Sequence, residues 1–426
     1  MKEATAARRA ALEILRAVRA GAPLADARDR HLSGLAERDR RLAYELSAGV
    51  LRRQRELDTA LELDRADPRL HDVLRLGAYQ LRWLSRVPAH AAVSTSVELA
   101  RQTVGEGVTG YVNHALRKLG GSREQGAGTT HPDWLVARWN ARFGVEETRK
   151  LLEWNDTRPA LIVQPARWTL QRLERSLAAA GVLTTPAAFG AGLQVSPAPS
   201  SLLPAPRDLP GFAEGAFIVQ DPAHALVSGF ADIPRGELVY DACAAPGGKA
   251  VALETMGARI LAGDARHERL GRLADTTRRA GVAIQCVAAN LEAAPIGPAS
   301  IDAVLVDAPC SATGTMRRHP DARWRLHAAV FARSAQRQAR LLSAAASLVR
   351  PGGLLIYATC SLEPEENEDV VERFLTRHRE FARAPRSESS LPSELLTAAG
   401  DFQSVPQRHG IDGAYAARLI RRESAS

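Results

Sequence analysis

The chain has 426 residues, 45% of them hydrophobic and 24% charged. That balance excludes a disordered chain and fits folded domains, about three at this length. Fifty-six basic residues against 48 acidic ones give a formal charge of +8, so the expected partner is a polyanion, nucleic acid first. Four cysteines, at 243, 286, 310 and 360, form no CxxC pair and have no His at zinc-finger spacing. A disulfide scaffold is excluded, no structural metal is expected, and a reducing cytoplasm is the expected compartment. No apolar run approaches the length of a membrane span, and the first twenty residues lack the apolar core of a signal peptide.

The first 120 residues read as helices. Ala11, Ile14, Leu15 and Val18 keep one face, as do Leu42, Leu46, Gly49 and Val50. Leu70, Val73, Leu74, Gly77, Ala78 and Leu81 continue the period, and Val112, Ala115, Leu116 and Leu119 close it. Spacing of i, i+3, i+4, i+7 predicts an all-helical domain over residues 1–125. Six arginines there (38, 40, 41, 52, 53 and 55) are a candidate RNA-contacting face, although such faces are more often merely solvated. A flexible joint is expected at GGSREQGAGTT, 120–130. Residues 131–212 read as a small mixed subdomain: helices over 131–155, a strand at Leu161–Gln164, a helix at Leu170–Ala180, then a proline-rich loop over 196–211.

From residue 213 to 426 strands alternate with helices. Strands are predicted at 238–243, 259–265, 284–290, 302–309 and 354–361, with AARLIRR near the end as an edge strand. That order predicts a parallel, doubly wound sheet. Asp241, Asp264, Asn290, Asp307 and Cys360 all fall at predicted carboxyl ends of strands, where such sheets bind ligands. The run Asp241-Ala-Cys-Ala-Ala-Pro-Gly-Gly-Lys249 joins a strand to a helix. It is neither GxGxxG nor a phosphate-binding GxxxxGK[ST] loop, so it fits neither the dinucleotide fingerprint nor an ATP site. Its small residues allow close backbone approach to a ligand at a helix N-terminus. Asp307-Ala-Pro-Cys310-Ser311 and Ala358-Thr-Cys360-Ser361 follow two other strands. A lone strand cysteine is usually a small core residue, about three to one, and Cys286 keeps that reading. Two cysteines and a carboxylate in one crevice suit methylation at carbon 5 of a pyrimidine. A thiolate adding to carbon 6 makes carbon 5 nucleophilic, a carboxyl group steadies the ring, and a base must then remove a proton.

At these residues the chain resembles the Nop2/Sun family of RNA cytosine-5 methyltransferases. The resemblance lies in VYDACAAPGGK (239–249), LVDAPCSATGTMRRHPDARW (305–324), IYATCSLEPEENE (356–368) and DGAYAARL (412–419). The front half resembles a NusB-type RNA-binding domain through RDRRLAYELSAGVLRR (38–53), 77–101 and YVNHALRK (111–118). The resemblance implies a class I S-adenosylmethionine-dependent α/β fold, Rossmann-like, with a seven-stranded mixed sheet. It implies that Cys243, Ala244, Ala245, Pro246, Gly247, Gly248 and Lys249 cradle the cofactor, that Asp264 holds its ribose and Asn290 its adenine, and that Asp307 touches cofactor and base. Cys360 is then the nucleophile, Cys310 assists product release, and Lys249 is a further candidate for orienting the base. The implied substrate is one cytosine, number 967, of 16S rRNA in an unassembled or partly assembled small subunit, acted on by a monomer. Asn290 stands where the family has Asp, and His224 follows Gln220-Asp221 where it has Ser. Three alternatives stay open: methylation of another RNA (tRNA or 23S rRNA), methylation of DNA with Cys310 attacking, and a non-catalytic RNA-binding factor.

Overall fold

The computed structural model describes residues 2–120, 129–197, 204–385 and 391–423, with side chains from Thr5 onward. The chain divides into two compact units, Met1–Arg158 with Met316–Leu326, and Pro159–Thr315 with His327–Ser426.

The first unit is helical: α1 (Lys2–Arg19), α2 (Leu24–Leu32), α3 (Glu37–Arg52), α4 (Gln54–Leu61), α5 (His71–Trp83), α6 (Ala89–Thr103), α7 (Thr109–Gly120), α8 (Asp133–Phe143) and α9 (Val145–Asp156). The predicted apolar faces meet in one core, with Ile14, Leu46, Val50, Val73, Leu74, Val112 and Leu116 all buried. Gly49 is required there, because a Cβ would overlap the Tyr79 ring of α5. Most of the expected joint, 121–128, lies outside the described residues.

The expected division at residue 125 differs from this arrangement. Helices α8 and α9 fall in the helical unit, not with the subdomain expected over 131–212. The reason is a polar junction with the earlier helices: Arg55 donates to the His131 carbonyl at 2.8 Å and to Asp133 Oδ1 at 2.7 Å, and Arg53 lies 3.5 Å from Asp156. His131 itself is fully buried, with Nε2 3.2 Å from Asn155 Nδ2 and Nδ1 2.9 Å from Thr130 Oγ1. Burial holds it well below the usual imidazole range. The second departure is Met316–Leu326, which packs with this unit although it sits within the later half of the chain. Arg323 is wholly buried, pairs with Asp156 at 3.0 Å and donates to the Asn155 carbonyl at 3.1 Å. Trp324 Nε1 donates to the Leu51 carbonyl at 2.6 Å, and the Arg317 guanidinium lies 3.8 Å over the Trp154 ring.

The second unit begins with a four-stranded antiparallel sheet of β1 (Leu161–Pro165), β2 (Leu183–Pro186), β3 (Leu193–Ser196) and β4 (Phe217–Val219), in the order β2-β3-β1-β4. Leu173 and Leu177 of α10 (Leu170–Ala179) pack in its core. Then follow α11 (Pro222–Phe230), β5 (Leu238–Asp241), α12 (Gly248–Thr255), β6 (Arg259–Asp264), α13 (His267–Ala280), β7 (Gln285–Ala288) and β8 (Ile301–Asp307). After α14 (Ala322–Arg325), in the segment belonging to the helical unit, come α15 (Ala329–Leu348), β9 (Val349–Thr359), α16 (Glu368–Arg377), β10 (Phe381–Arg383), β11 (Phe402–Ser404), α17 (Pro406–His409) and β12 (Ala414–Arg421).

These later strands form a mixed sheet of eight, ordered β10-β12-β9-β8-β5-β6-β7 with β11 also on β12. The implied count of seven is therefore exceeded by β11. Strands β5 to β9 run parallel, and β12 is antiparallel to β9. Successive residues face opposite layers, as the two-residue period requires. Val304, Val306, Leu355 and Tyr357 join α15 and α16, while Ala303, Leu305, Leu354 and Ile356 join α12 and α13. The expected edge strand is internal: β12 lies between β9 on one side and β10 and β11 on the other. Its run Ala414–Ala417 is fully buried, which suits a strand covered on both faces.

Candidate active site

Because β5 to β9 are parallel, their carboxyl ends share one edge, and the predicted residues gather there. Asp241, Asp264 and Asp307 close β5, β6 and β8, Cys360 follows β9, and Asn290 lies two residues past β7. Asn290 is exposed, and its Oδ1 accepts from the Glu292 N–H at 3.3 Å. Cys286 is also exposed, not the core residue expected, because β7 is the edge strand.

The loop from Ala242 to Gly247 turns the chain from β5 into α12. Gly247 has φ of +105°, and a Cβ there would come within 2.8 Å of Leu273. Only glycine takes that conformation without strain. A Cβ on Gly248 would sit 3.0 Å from Gln220. Cys243 is nearly buried beside Asp241, and burial first, then that carboxylate, push its thiol up to about 12. Asp264 is buried, its Oδ1 accepting from the Arg266 N–H at 2.9 Å and Arg269 lying 3.4 Å from Oδ2. Asp241 is buried more completely, and neither carboxylate oxygen has a well-formed hydrogen bond. Burial, then the charge of Asp307, raise it to about 7 against the pull of Lys249 and the Cys243 N–H.

Lys249, in the first turn of α12, reaches Asp307 Oδ2 at 2.6 Å and His224 Nδ1 at 3.2 Å. Burial pulls its ammonium down, but Asp307, Asp241 and Cys360 more than reverse that, so it stays charged. His224 was visible in the sequence only as a departure, and it joins the site because Asp221 caps α11, accepting from the Ala223 N–H at 3.0 Å.

Cys310 and Cys360, fifty residues apart, have their sulfurs 3.1 Å from each other. The Cys310 thiol is pushed well up, first by that hydrogen bond and then by burial. It is therefore the sulfur that keeps its proton when the pair loses one. The loops holding the pair are braced on a close glycine contact. Gly314 N–H donates to the Cys360 carbonyl at 2.9 Å, Gly413 N–H donates to the Gly314 carbonyl at 2.8 Å, and a Cβ on Gly314 would strike that Gly413 backbone.

The chain as a whole has known relatives. Residues 232–420 match the model of the 16S rRNA methyltransferase RsmB/F family, and residues 5–120 match the NusB family. A protein of Synechocystis sp., described as "Probable ribosomal RNA small subunit methyltransferase B", is 35% identical over 90% of this chain and 92% of its own. The ribosomal RNA small subunit methyltransferase B of Salmonella typhi is 33% identical over 91% of this chain and 92% of its own. The chain belongs to the ribosomal RNA small subunit methyltransferase B family. The crystal structure of PH0851 superposes with a TM-score of 0.79 at 26% identity, covering 98% of this chain and 99% of that one. NSun6 from Pyrococcus horikoshii, solved with SFG, has a TM-score of 0.58 at 19% identity over 69% of this chain and 99% of that one, a likeness of fold.

Members of this methyltransferase family use S-adenosylmethionine, and the residues present fit it. The strand-end loops offer, in Asp264 Oδ2, a buried acceptor that holds the Arg269 ion pair at 3.4 Å but no hydrogen bond. A ribose hydroxyl supplies the donor for one.

The arginines proposed as an RNA face divide. Arg52 is buried and donates to the Arg317 carbonyl at 3.3 Å, Arg53 pairs with Glu56 at 3.0 Å, and Arg55 grips Asp133 through two bonds of 2.7 and 2.8 Å. These three serve the helical unit's own packing. Arg40 and Arg41 flank Glu37, and Arg38 is exposed.

Proposed function

We propose that this enzyme methylates carbon 5 of one cytosine of 16S rRNA, cytosine 967, before small-subunit assembly is complete. The contact between the Cys310 and Cys360 sulfurs beside the Lys249–Asp307 pair carries this reading. Of two touching thiols, the one whose partner keeps the proton is the one that ionises and attacks. Cys360 is that one, and Lys249 holds a positive charge near it. Its thiolate adds to carbon 6 of an unstacked base, and electron density moves to carbon 5. Asp307 accepts from the exocyclic amine, and the Lys249 ammonium offsets the charge developing on the ring. Bound S-adenosylmethionine supplies an electrophilic methyl group. Cys243 to Gly248 wall its site, Asp264 takes the ribose, and Asn290, at the open end, takes the adenine edge. After transfer, carbon 5 loses its proton to a base, the Cys360–carbon 6 bond breaks, and the thiolate leaves. Cys310 stands beside that bond and assists release. Thiolate attack from Cys360 also separates this reading from a DNA-type enzyme attacking through Cys310.

The helical unit, of NusB type, presents the RNA. Bisulfite sequencing of 16S rRNA from cells lacking the protein tests the assignment. One cytosine should lose its protection and regain it with the wild-type gene but not with Cys360→Ser. An unchanged map would overturn the 16S target.

A further inference from the structure

Glu366 stands within the matching run IYATCSLEPEENE but has no role in the chemistry above. It ends the 3-10 turn Pro364–Glu366 after β9 and is completely buried. A carboxylate removed from water is costly unless hydrogen bonds replace its hydration. Here they do. Oε1 accepts from the Ser311 N–H at 2.9 Å and from Gln338 Nε2 at 3.3 Å, while Oε2 accepts from Ser361 Oγ at 2.5 Å and from Ser311 Oγ. Ser311 and Ser361 are the residues immediately after the two cysteines. One carboxylate thus ties together both loops that carry sulfur. Gln338 also donates to the carbonyl of Pro309, directly before Cys310, at 3.0 Å. The turn is anchored in return by Tyr357, whose hydroxyl donates to the Glu366 carbonyl at 2.5 Å.

We propose that Glu366 is the positioning residue of the thiol pair: it fixes the separation of Cys310 and Cys360 and keeps the shared proton on Cys310. This rests on Cys360 being the attacking sulfur. A brace alone needs only hydrogen-bond acceptors. A negative charge does more, because it disfavours a second anion on Cys310. Glu366 is among the groups that push the Cys310 thiol up, after Cys360 and burial. Among the described residues, the other titratable side chains coupled to the sulfurs are Lys249 from α12, whose ammonium Cys360 helps to hold up, and Tyr357 from β9, beside Cys310. Neither bridges the loops.

The test is alkylation of each cysteine by iodoacetamide across pH 6–10, followed by mass spectrometry on the full chain without RNA or cofactor. In the wild type Cys360 should react well before Cys310. In Glu366→Gln, which keeps the shape and loses the charge, Cys310 should gain reactivity roughly tenfold and its profile should move to lower pH. Glu366→Asp keeps the charge and should restore most of the wild-type order. An unchanged order and profile in a Glu366→Gln protein with wild-type melting would overturn the proposal. Should Glu366→Gln fail to fold, Ser311→Ala and Ser361→Ala each remove one tether, and unaltered profiles in both would overturn it equally. Retained methyl transfer by Cys360→Ser would instead overturn the assigned nucleophile and leave the alkylation result standing.

Discussion

The sulfur of Cys310 lies 3.1 Å from that of Cys360, each on the loop after a neighbouring parallel strand, β8 and β9. Strand order creates the contact, so each replacement has its own signature. Cys360→Ser should abolish methyl transfer, by at least about a thousandfold in single turnover, since a hydroxyl at neutral pH is a far weaker nucleophile. Cys310→Ser should still attack but release poorly. A protein–RNA adduct should then build up, seen as a slowly migrating band on a denaturing gel that needs Cys360. The same adduct in Cys360→Ser would sink the assignment.

Asp241 gives a pH test. Its folded pKa is about 7, raised by burial and then by Asp307, against about 3.9 in an unfolded chain. Below the unfolded value the contribution is fully present. As pH rises toward 7 the unfolded state gives up the proton first, and stability is lost. Asp241→Asn stays neutral, so its advantage should grow from about pH 4 to 7 and then level off, at no more than roughly 4 kcal/mol. Urea unfolding of the cofactor-free protein at pH 5, 6, 7 and 8 measures this. A difference that shrinks with rising pH would refute it.

Gly49 is tested by adding one methyl group. Gly49→Ala gains helix propensity, roughly 1 kcal/mol, but places a Cβ inside the space of the Tyr79 ring. Overpacking should win, with a net loss of about 1–3 kcal/mol. Gly49→Ala with Tyr79→Phe should do no better, since the clash reaches the ring carbons as well as the hydroxyl. A rise in melting temperature for the single variant would contradict the packing.

Arg323 should be the most sensitive residue of its segment. Burial lowers its guanidinium to about 10, with Asp156 resisting. Arg323→Met removes the buried cation and leaves the Asn155 carbonyl and Asp156 short of a donor. A loss of about 3–5 kcal/mol is expected from denaturant unfolding of the full chain. A loss below about 1 kcal/mol would show that the segment contributes little to the helical unit.

The helical core was legible because its signal is local: Ile14, Val50 and Val73 repeat at helical spacing, and each is buried. The strand-end residues were legible for a similar reason, since Asp241, Asp264 and Asp307 each end an apolar run. Strand β2 was not, because Leu183–Pro186 is short and largely exposed and so carries no apolar alternation. The place of β12 was hidden too, because partner choice is not written within a strand. Glu366 and His224 escaped for a third reason. Their roles come from contacts with Ser311 and Lys249, residues 55 and 25 positions away, and no spacing rule reaches so far.

The helical unit includes Met316–Leu326, and that bears on how the protein is born. Synthesis runs from the N-terminus, and domains usually fold as they leave the ribosome. Here the first 158 residues emerge without the buried guanidinium of Arg323 or the indole bond of Trp324 to Leu51. The unit reaches its final packing only after more than half of the remaining chain has been translated. A nascent chain paused before residue 316 should thus be markedly more open to protease than one released past 326.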